Sequence, residues 1–129
     1  DKQKVHDLLK WMQDNKADFN NTFCHLMEQP HINDKIFETD SFKHWKNDWI
    51  SRVKKENNYL DIMKKVNPIF IPRNHLVENA LNEADEGKID KFKSLIDVIS
   101  KPYSFQSKYE EYYLTPEIDE TKYQTFCGT

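Results

Sequence analysis

Apolar residues recur along most of this chain at the spacing of one helix face. Val5, Leu8, Leu9 and Met12 follow the i, i+3, i+4, i+7 rule, which predicts a first amphipathic helix. Five further stretches repeat this spacing, so we expect six helices with their apolar faces turned towards a core. The five stripes are Phe19, Phe23, Leu26 and Met27; Phe42, Trp45, Trp49 and Val53; Tyr59, Leu60, Ile62 and Met63; Leu76, Val77, Ala80, Leu81 and Ala84; and Phe92, Leu95, Ile96 and Ile99.

Capping residues and prolines divide this pattern into separate helices. Gly87 suits the position just after a helix C-terminus, because glycine adopts a positive φ without steric cost. Residues 31–40 are polar and predict a loop. We expect Asp18 to cap the second helix, Asp40 or Ser41 the third and Asp90 the sixth, with Pro30 ending the second and Lys101-Pro102 the sixth.

A proline-bracketed segment separates the fourth and fifth helices. Asn67-Pro68 stops the fourth, because the residue before proline is pushed out of the α region. Ile69–Ile71 is the chain's only β-like run, and its three residues predict an extended connector rather than a strand. Pro72 suits the first turn of the following helix.

The pattern as a whole predicts an all-α fold: an irregular bundle of about six short helices with an extended connector. Residues 1–116 form the expected helical domain, and residues 117–129 an extended acidic C-terminal tail. Tyr103, Phe105, Tyr109, Tyr112 and Tyr113 form an aromatic cluster before that tail, with about half of it helical.

Composition limits the classes of function. The net charge of −3 argues against nucleic-acid binding, and pairs such as Lys54-Lys55 are expected to be solvated helix faces. No apolar run is long enough for a membrane span, so no membrane partner is expected. The two cysteines, Cys24 and Cys127, do not make a disulfide framework, which favours a reducing cytoplasm.

Two common kinds of site lack their residues. A phosphate-binding loop needs several glycines, and this chain has two, so no nucleotide cofactor is expected here. Cys24-His25, His31 and His44 do not have zinc-ligand spacing, and we interpret them as a half-buried cysteine and surface histidines. We therefore expect no metal, no cofactor and no catalytic residue within these 129 residues.

Two segments remain as candidates for a functional role. Arg73, Asn74 and His75 stand at a helix start, where Asn74 can cap backbone donors and Arg73 can hold a carboxylate. They either lock the connector against the helices or contact a neighbouring domain or substrate. Cys127 is a thiol close to the C-terminal carboxylate, where a mobile tail suits a redox role better than a structural one.

Four blocks of the chain resemble the C-terminal region of the selenoprotein O (YdiU) family. They are Ala17–Phe23, Trp45-x3-Trp49-x2-Arg52-Val53, Asn67-Pro68 through Ala80 with its acidic-glycine turn, and Pro102-Tyr103 with Tyr109 and Tyr123–Thr129. They stand in the family's order and cover almost the whole chain. The chain begins with Asp1 rather than Met, and we expect it to be a region of a longer protein.

The resemblance implies a kinase-like parent that transfers AMP from ATP to a hydroxyl side chain of proteins, with Mg²⁺ or Mn²⁺. Its nucleotide and metal residues are expected upstream of this chain, whose partners are then the upstream kinase-like domain and the parent's protein substrates. Cys127 matches the family's selenocysteine or cysteine position, which implies a redox tail. Asn67, Pro68, Trp45 and Trp49 become interdomain candidates together with Arg73, Asn74 and His75. Bacterial members are expected in the cytoplasm and eukaryotic ones in mitochondria.

A different class of function stays open from the residues alone. A free-standing helical module that holds a partner through its aromatic patch fits the same composition. The two readings differ in whether this chain is a region of a longer enzyme.

Overall fold

The structure, a computed structural model, describes residues 2–30 and 32–114. Within these residues it has six α-helices, two short 3₁₀-helices and no strand, so the predicted all-α fold is confirmed. The α-helices are α1 Lys2–Asp14, α2 Phe19–Leu26, α3 Asp40–Val53, α4 Tyr59–Val66, α5 Asn74–Asp85 and α6 Asp90–Ile99. The 3₁₀-helices are η1 Lys35–Glu38 and η2 Ser107–Tyr112.

The chain divides into two compact units, Asp1–Ile69 and Phe70–Thr129. The first contains α1 to α4 with η1, and the second contains α5, α6 and η2. The predicted extended tail, residues 117–129, lies outside the described residues, and so does the predicted boundary at residue 116.

Aromatic side chains form the core of the first unit. The rings of Trp11 and Phe42 lie 4.6 Å apart, and those of Phe37 and Phe42 lie 5.0 Å apart. Only 1% of Phe42 is exposed, so it is the centre of this cluster. A few large rings thus supply a core to a unit whose helices are otherwise rich in charge.

The predicted inner face of α1 is only partly correct. Leu8 and Met12 are buried together with Trp11, but Val5 is 57% exposed and Leu9 is 45% exposed. The buried face therefore follows Leu8, Trp11 and Met12, because Trp11 packs against the aromatic core. Val5 and Leu9 lie on the flank of that face.

Helix α2 begins as predicted and ends earlier than predicted. The Asp18 carboxylate accepts a hydrogen bond from the backbone N–H of Asn21 at 2.8 Å, which confirms it as the N-cap. The helix ends at Leu26, because Glu28 adopts a positive φ of 60° and reverses the chain before Pro30. Phe19, expected inside, is 61% exposed and packs against Phe23 at a tilt of 49° instead.

The segment before α3 contains more structure than a loop. Lys35–Glu38 form η1, where the Asp34 carboxylate accepts a bond from the N–H of Ile36. The N-cap of α3 is Thr39, not Asp40 or Ser41, which belong to the helix itself. The Ser41 hydroxyl instead accepts a hydrogen bond from the Trp11 indole N–H at 3.2 Å.

Helix α4 ends where proline predicts. Asn67 is its C-cap, with extended backbone angles, and no strand forms over Ile69–Ile71, so the predicted connector is confirmed. Pro72 precedes the N-cap Arg73, and it is therefore two residues outside the helix whose first turn it was expected to occupy.

Helices α5 and α6 pack against each other in the second unit. Gly87, with φ of 84°, forms the predicted C-terminal turn of α5. Its N–H bonds to the carbonyl of Ala84, and the N–H of Lys88 bonds to the carbonyl of Glu83. These two bonds are those of a Schellman motif.

The predicted face of α6 needs correction. Leu95 and Val98 are buried, whereas Phe92 and Ile96 are 39% and 48% exposed. Its N-cap is Ile89 rather than Asp90, which is the first helical residue. Helix α6 therefore buries fewer apolar residues than its stripe predicts.

The aromatic cluster of the second unit is partly as predicted. Tyr109 and Tyr112 lie in η2 with ring centroids 5.8 Å apart, and Tyr113 follows directly. Phe70 contacts both Tyr109 and Tyr113, a partner that the sequence pattern did not indicate. Tyr103 is 50% exposed and makes no described ring contact with the others.

Candidate functional site

The predicted tryptophan pair forms a defined feature of the first unit. Trp45 and Trp49 are one helical turn apart on α3, and their rings stack at 5.9 Å with an interplanar angle of 11°. The Trp45 indole N–H donates to the backbone carbonyl of Lys4 at 3.0 Å, which fixes α3 against α1. The edge of Tyr59 in α4 meets the Trp49 ring at 5.9 Å.

These tryptophans line an open apolar groove with a volume of about 270 Å³, called here the tryptophan groove. Helices α1 to α4 all contribute to its walls. Lys4 forms an ion pair with Asp48, and Arg52 lies 4.0 Å from the same carboxylate. The lining residues are Lys4, Val5, Leu8, Leu9, Phe23, Leu26, Trp45, Trp49, Arg52, Val53 and Met63.

The exposed flank of α1 is one wall of the tryptophan groove. Val5 and Leu9, the two residues that the sequence placed in the core, both line it. A concave apolar surface of this kind is typical of a binding site for an apolar segment.

A second feature, within the first unit, is the set of bonds that hold the start of the connector. The Asn20 side-chain amide donates to the carbonyl of Ile69 at 3.0 Å, and Asn20 and Ile69 are both buried. The Cys24 thiol, with no exposed surface, lies 3.8 Å from the carbonyl of Pro68. Two side chains one turn apart on α2 thus satisfy consecutive carbonyls of an extended backbone.

Sequence reasoning missed this second feature. Cys24 is completely buried rather than half-buried, and His25 stacks on Phe37 at 4.2 Å rather than standing at the surface. The available signal was the polar pair Asn20-Asn21 inside an apolar helix, where buried amides need hydrogen-bond partners.

The predicted residues of the connector fall into different units. Asn67 and Pro68 belong to the first unit, at the end of α4, and Arg73, Asn74 and His75 belong to the second. The structure stacks Trp45 with Trp49 and groups the residues at the start of α5.

Arg73 is the N-cap residue of α5. It is 9% exposed, and its carbonyl accepts bonds from the N–H groups of Leu76 and Val77 at 3.0 Å each. Asn74, expected to cap backbone donors, is the first helical residue instead. The pKa of His75 is lowered, first by loss of solvent and then by the neighbouring Arg73 charge.

A further small cavity of about 110 Å³ lies in the second unit, beside Tyr112. Lys91 reaches the Glu83 carboxylate there at 2.7 Å, and both side chains are partly solvated. Burial raises the pKa of the Tyr112 hydroxyl, with the nearby Glu111 charge adding to the effect. This arrangement ties α6 to α5 and offers no activated nucleophile.

Comparison with known proteins identifies relatives of this chain. It is 39% identical over its full length to a protein nucleotidyltransferase YdiU of Clostridium perfringens. It is 37% identical to the YdiU protein of Pelagibacter ubique and 39% identical to that of Bacillus cereus, again over the full chain. The chain belongs to the YdiU family.

The match covers only part of these YdiU proteins. The chain spans 27% of the length of the Clostridium relative and 28% of the other two. This agrees with the prediction that it corresponds to the C-terminal region of the family. No protein-family model matches the chain.

Cys127, together with Gly128 and Thr129, lies outside the described residues. Within residues 2–30 and 32–114, no group of three or more metal-ligating side chains comes together. The same residues contain no helix with both the length and the apolar character needed to cross a bilayer.

Proposed function

We propose that this chain is the C-terminal helical region of a YdiU-family protein nucleotidyltransferase that transfers AMP from ATP to hydroxyl side chains of proteins. In this proposal the chain supports the kinase-like part of the cytoplasmic parent and does not carry its chemistry. The observation that carries it is the full-length similarity to relatives named as protein nucleotidyltransferases, over about a quarter of their length.

The described residues suit a supporting role. The tryptophan pair, the buried Arg73 and the Asn20–Ile69 hydrogen bond fix helices and a connector in place. The parent's ATP and its Mg²⁺ or Mn²⁺ would then be held by residues upstream of Asp1. The parent's protein substrates would meet that upstream part as well.

The test of this proposal is AMP transfer from radiolabelled ATP with Mg²⁺ or Mn²⁺. We expect the full-length protein to label itself or added protein substrates, and the isolated chain to give no labelling under the same conditions. Robust labelling by the isolated chain, or none by the full-length protein with either metal, would contradict the proposal.

The proposed redox tail needs a separate test. We propose that a small-molecule disulfide first converts an upstream cysteine to a mixed disulfide. The Cys127 thiolate then attacks the sulfur of that cysteine, forms the protein disulfide that restrains the enzyme and releases the small thiol; a dithiol reductant reverses the step and is itself oxidised to a disulfide. In the full-length protein, Cys127→Ser is expected to remove the loss of AMP transfer that disulfide oxidants cause. Cys24→Ser is the control, because Cys24 is completely buried. Unchanged oxidant sensitivity of Cys127→Ser would make Cys127 a bystander.

A further inference from the structure

The tryptophan groove exposes apolar surface that the first unit does not bury in its own core. Trp45 and Trp49 remain half-buried, while Val5 and Leu9 are 57% and 45% exposed. An α-helix with an apolar stripe normally buries that stripe against a neighbour. Within the first unit, no described element covers this part of α1 and α3.

Helix α4 has the same surplus of apolar surface. None of its residues is fully buried, although Met63 lines the groove, and Ile62 and Val66 are 49% and 64% exposed. Ile62 and Val66 do not line the groove, so α4 contributes exposed apolar surface outside it. A segment outside the described residues would account for the exposed apolar surface along the groove.

We propose that the tryptophan groove seats an apolar segment of the parent that lies upstream of Asp1 in the same polypeptide. The proposal rests on the function proposed above and names the face through which the region meets the rest of the enzyme. The relatives are more than three times as long as this chain, so a large upstream part is available to supply the segment.

The position of the groove favours that occupant. Lys4 and Val5, in the first turns of α1, line the groove, so the upstream polypeptide joins the chain a few residues from it. A short tether of this kind gives a segment a high effective concentration at the site. The two charged residues of the lining, Lys4 and Arg52, both lie beside the Asp48 carboxylate, so the groove offers mainly apolar contacts to its occupant.

The test is site-specific photo-cross-linking in the full-length protein. Trp49 is replaced by p-benzoylphenylalanine, which keeps an aromatic side chain in the groove wall, and cross-linked peptides are identified by mass spectrometry. We expect cross-links to residues upstream of Asp1 within the same molecule. The control position is His44, which is exposed on α3 and does not line the groove, and it should give no such cross-link.

Every other result would overturn the proposal. Mixing light and heavy isotope-labelled protein shows whether a cross-link joins two copies, which would make the groove a dimer contact. Cross-links to residues 115–129 would assign the groove to the C-terminal tail. Absence of cross-links would mean that the groove is open to solvent.

A second variant keeps the test independent of the photoreactive residue. Leu9→Asp places a carboxylate in the groove, and we expect it to lower the melting temperature of the full-length protein by several degrees. His6→Asp adds the same carboxylate to the exposed side of α1 and should leave the melting temperature nearly unchanged. Equal shifts from the two variants would contradict the proposal.

AMP transfer is measured on the same samples to separate the two proposals. Upstream cross-links in a protein without AMP transfer would refute the proposed activity and keep the groove assignment. AMP transfer by a protein without upstream cross-links would refute the groove assignment alone.

Discussion

At the scale of single residues, Asn20 shows how a buried amide organises an extended backbone. Its side chain donates to the Ile69 carbonyl at 3.0 Å, and both groups are removed from water. An extended connector has no ladder of its own, so these carbonyls need partners from a neighbouring helix. The Asn20 amide supplies one such partner, and the Cys24 thiol approaches the carbonyl before it.

We predict that Asn20→Ala destabilises the chain by about 1–3 kcal/mol, because the Ile69 carbonyl is left buried without its donor. Urea unfolding followed by tryptophan fluorescence measures the change. Asn47→Ala, on the exposed surface of α3, is the matched control and should have little effect. Equal unfolding midpoints for Asn20→Ala and the unaltered chain would contradict the assigned role.

His75 makes the stability of the chain depend on pH. Its pKa is lowered from 6.5 by desolvation and by the Arg73 charge, so the unfolded chain binds more protons at pH values between the two pKa values. Protonation of His75 therefore does not lower the free energy of unfolding above pH 6.5. That free energy decreases as the pH drops below 6.5, and the His75 contribution becomes constant below the folded-state pKa.

We predict that NMR titration places the pKa of the folded-state His75 below 6.5, and that His75→Gln removes this part of the pH dependence. The measurement is unfolding free energy across the acidic range for both proteins. A His75 pKa at or above 6.5 would contradict the environment described for this side chain.

At the scale of elements, three helices end in the same backbone turn with different residues. Gly87 adopts a positive φ after α5, whereas Lys16 after α1 and Glu28 after α2 do so with full side chains. In each case the N–H groups of the turn bond back to carbonyls of the last helical turn. The glycine was recognisable in the sequence, and the other two were not, because lysine and glutamate rarely take this conformation.

We predict that Gly87→Ala destabilises the chain by about 1–2 kcal/mol, the cost of placing an L-residue in the left-handed region. A Cβ at this position would meet no atom within 4 Å, so the loss is conformational rather than steric. Gly87→Asn, which tolerates positive φ better, should cost less. Equal losses from the two variants would point to a different cause.

The reverse change is expected at the end of α1. Lys16→Gly removes a side chain from an exposed position with a φ of 51°. We predict that it raises the free energy of unfolding by roughly 0.5–1 kcal/mol. This is less than the full cost of the left-handed conformation, because glycine also gains freedom in the unfolded chain. Thermal unfolding measures it, with Lys10→Gly in the interior of α1 as a control that should destabilise. A loss of stability for Lys16→Gly would show that the lysine side chain contributes more than its backbone strain costs.

Helix periodicity predicted where the elements lie better than which residues they bury. All six α-helices and the connector were predicted, because prolines and the i, i+3, i+4 stripes are local signals. The exposed Val5, Leu9, Phe92 and Ile96 were predicted inside, because periodicity shows only that a face is apolar. Whether such a face is covered depends on tertiary contacts, which the local spacing of apolar residues does not predict.

At the scale of the whole molecule, the chain is described as two units with their own cores, and it covers about a quarter of its YdiU relatives. The features of the candidate site were predictable from the sequence to different extents. The tryptophan pair was visible from its helical spacing, whereas the groove needed the packing of four helices, and the Asn20 bonds joined residues almost fifty positions apart.

Amide hydrogen exchange is the sharpest test of the proposal that these helices are a supporting region of a larger enzyme. Exchange is compared, residue by residue, between the isolated chain and the full-length protein. We predict slower exchange in α1, α3 and α4 of the full-length protein, with the turns at Lys16 and Gly87 unchanged. Identical exchange in both proteins would contradict the claim, because it would show that the helices stand independently of the rest of the polypeptide.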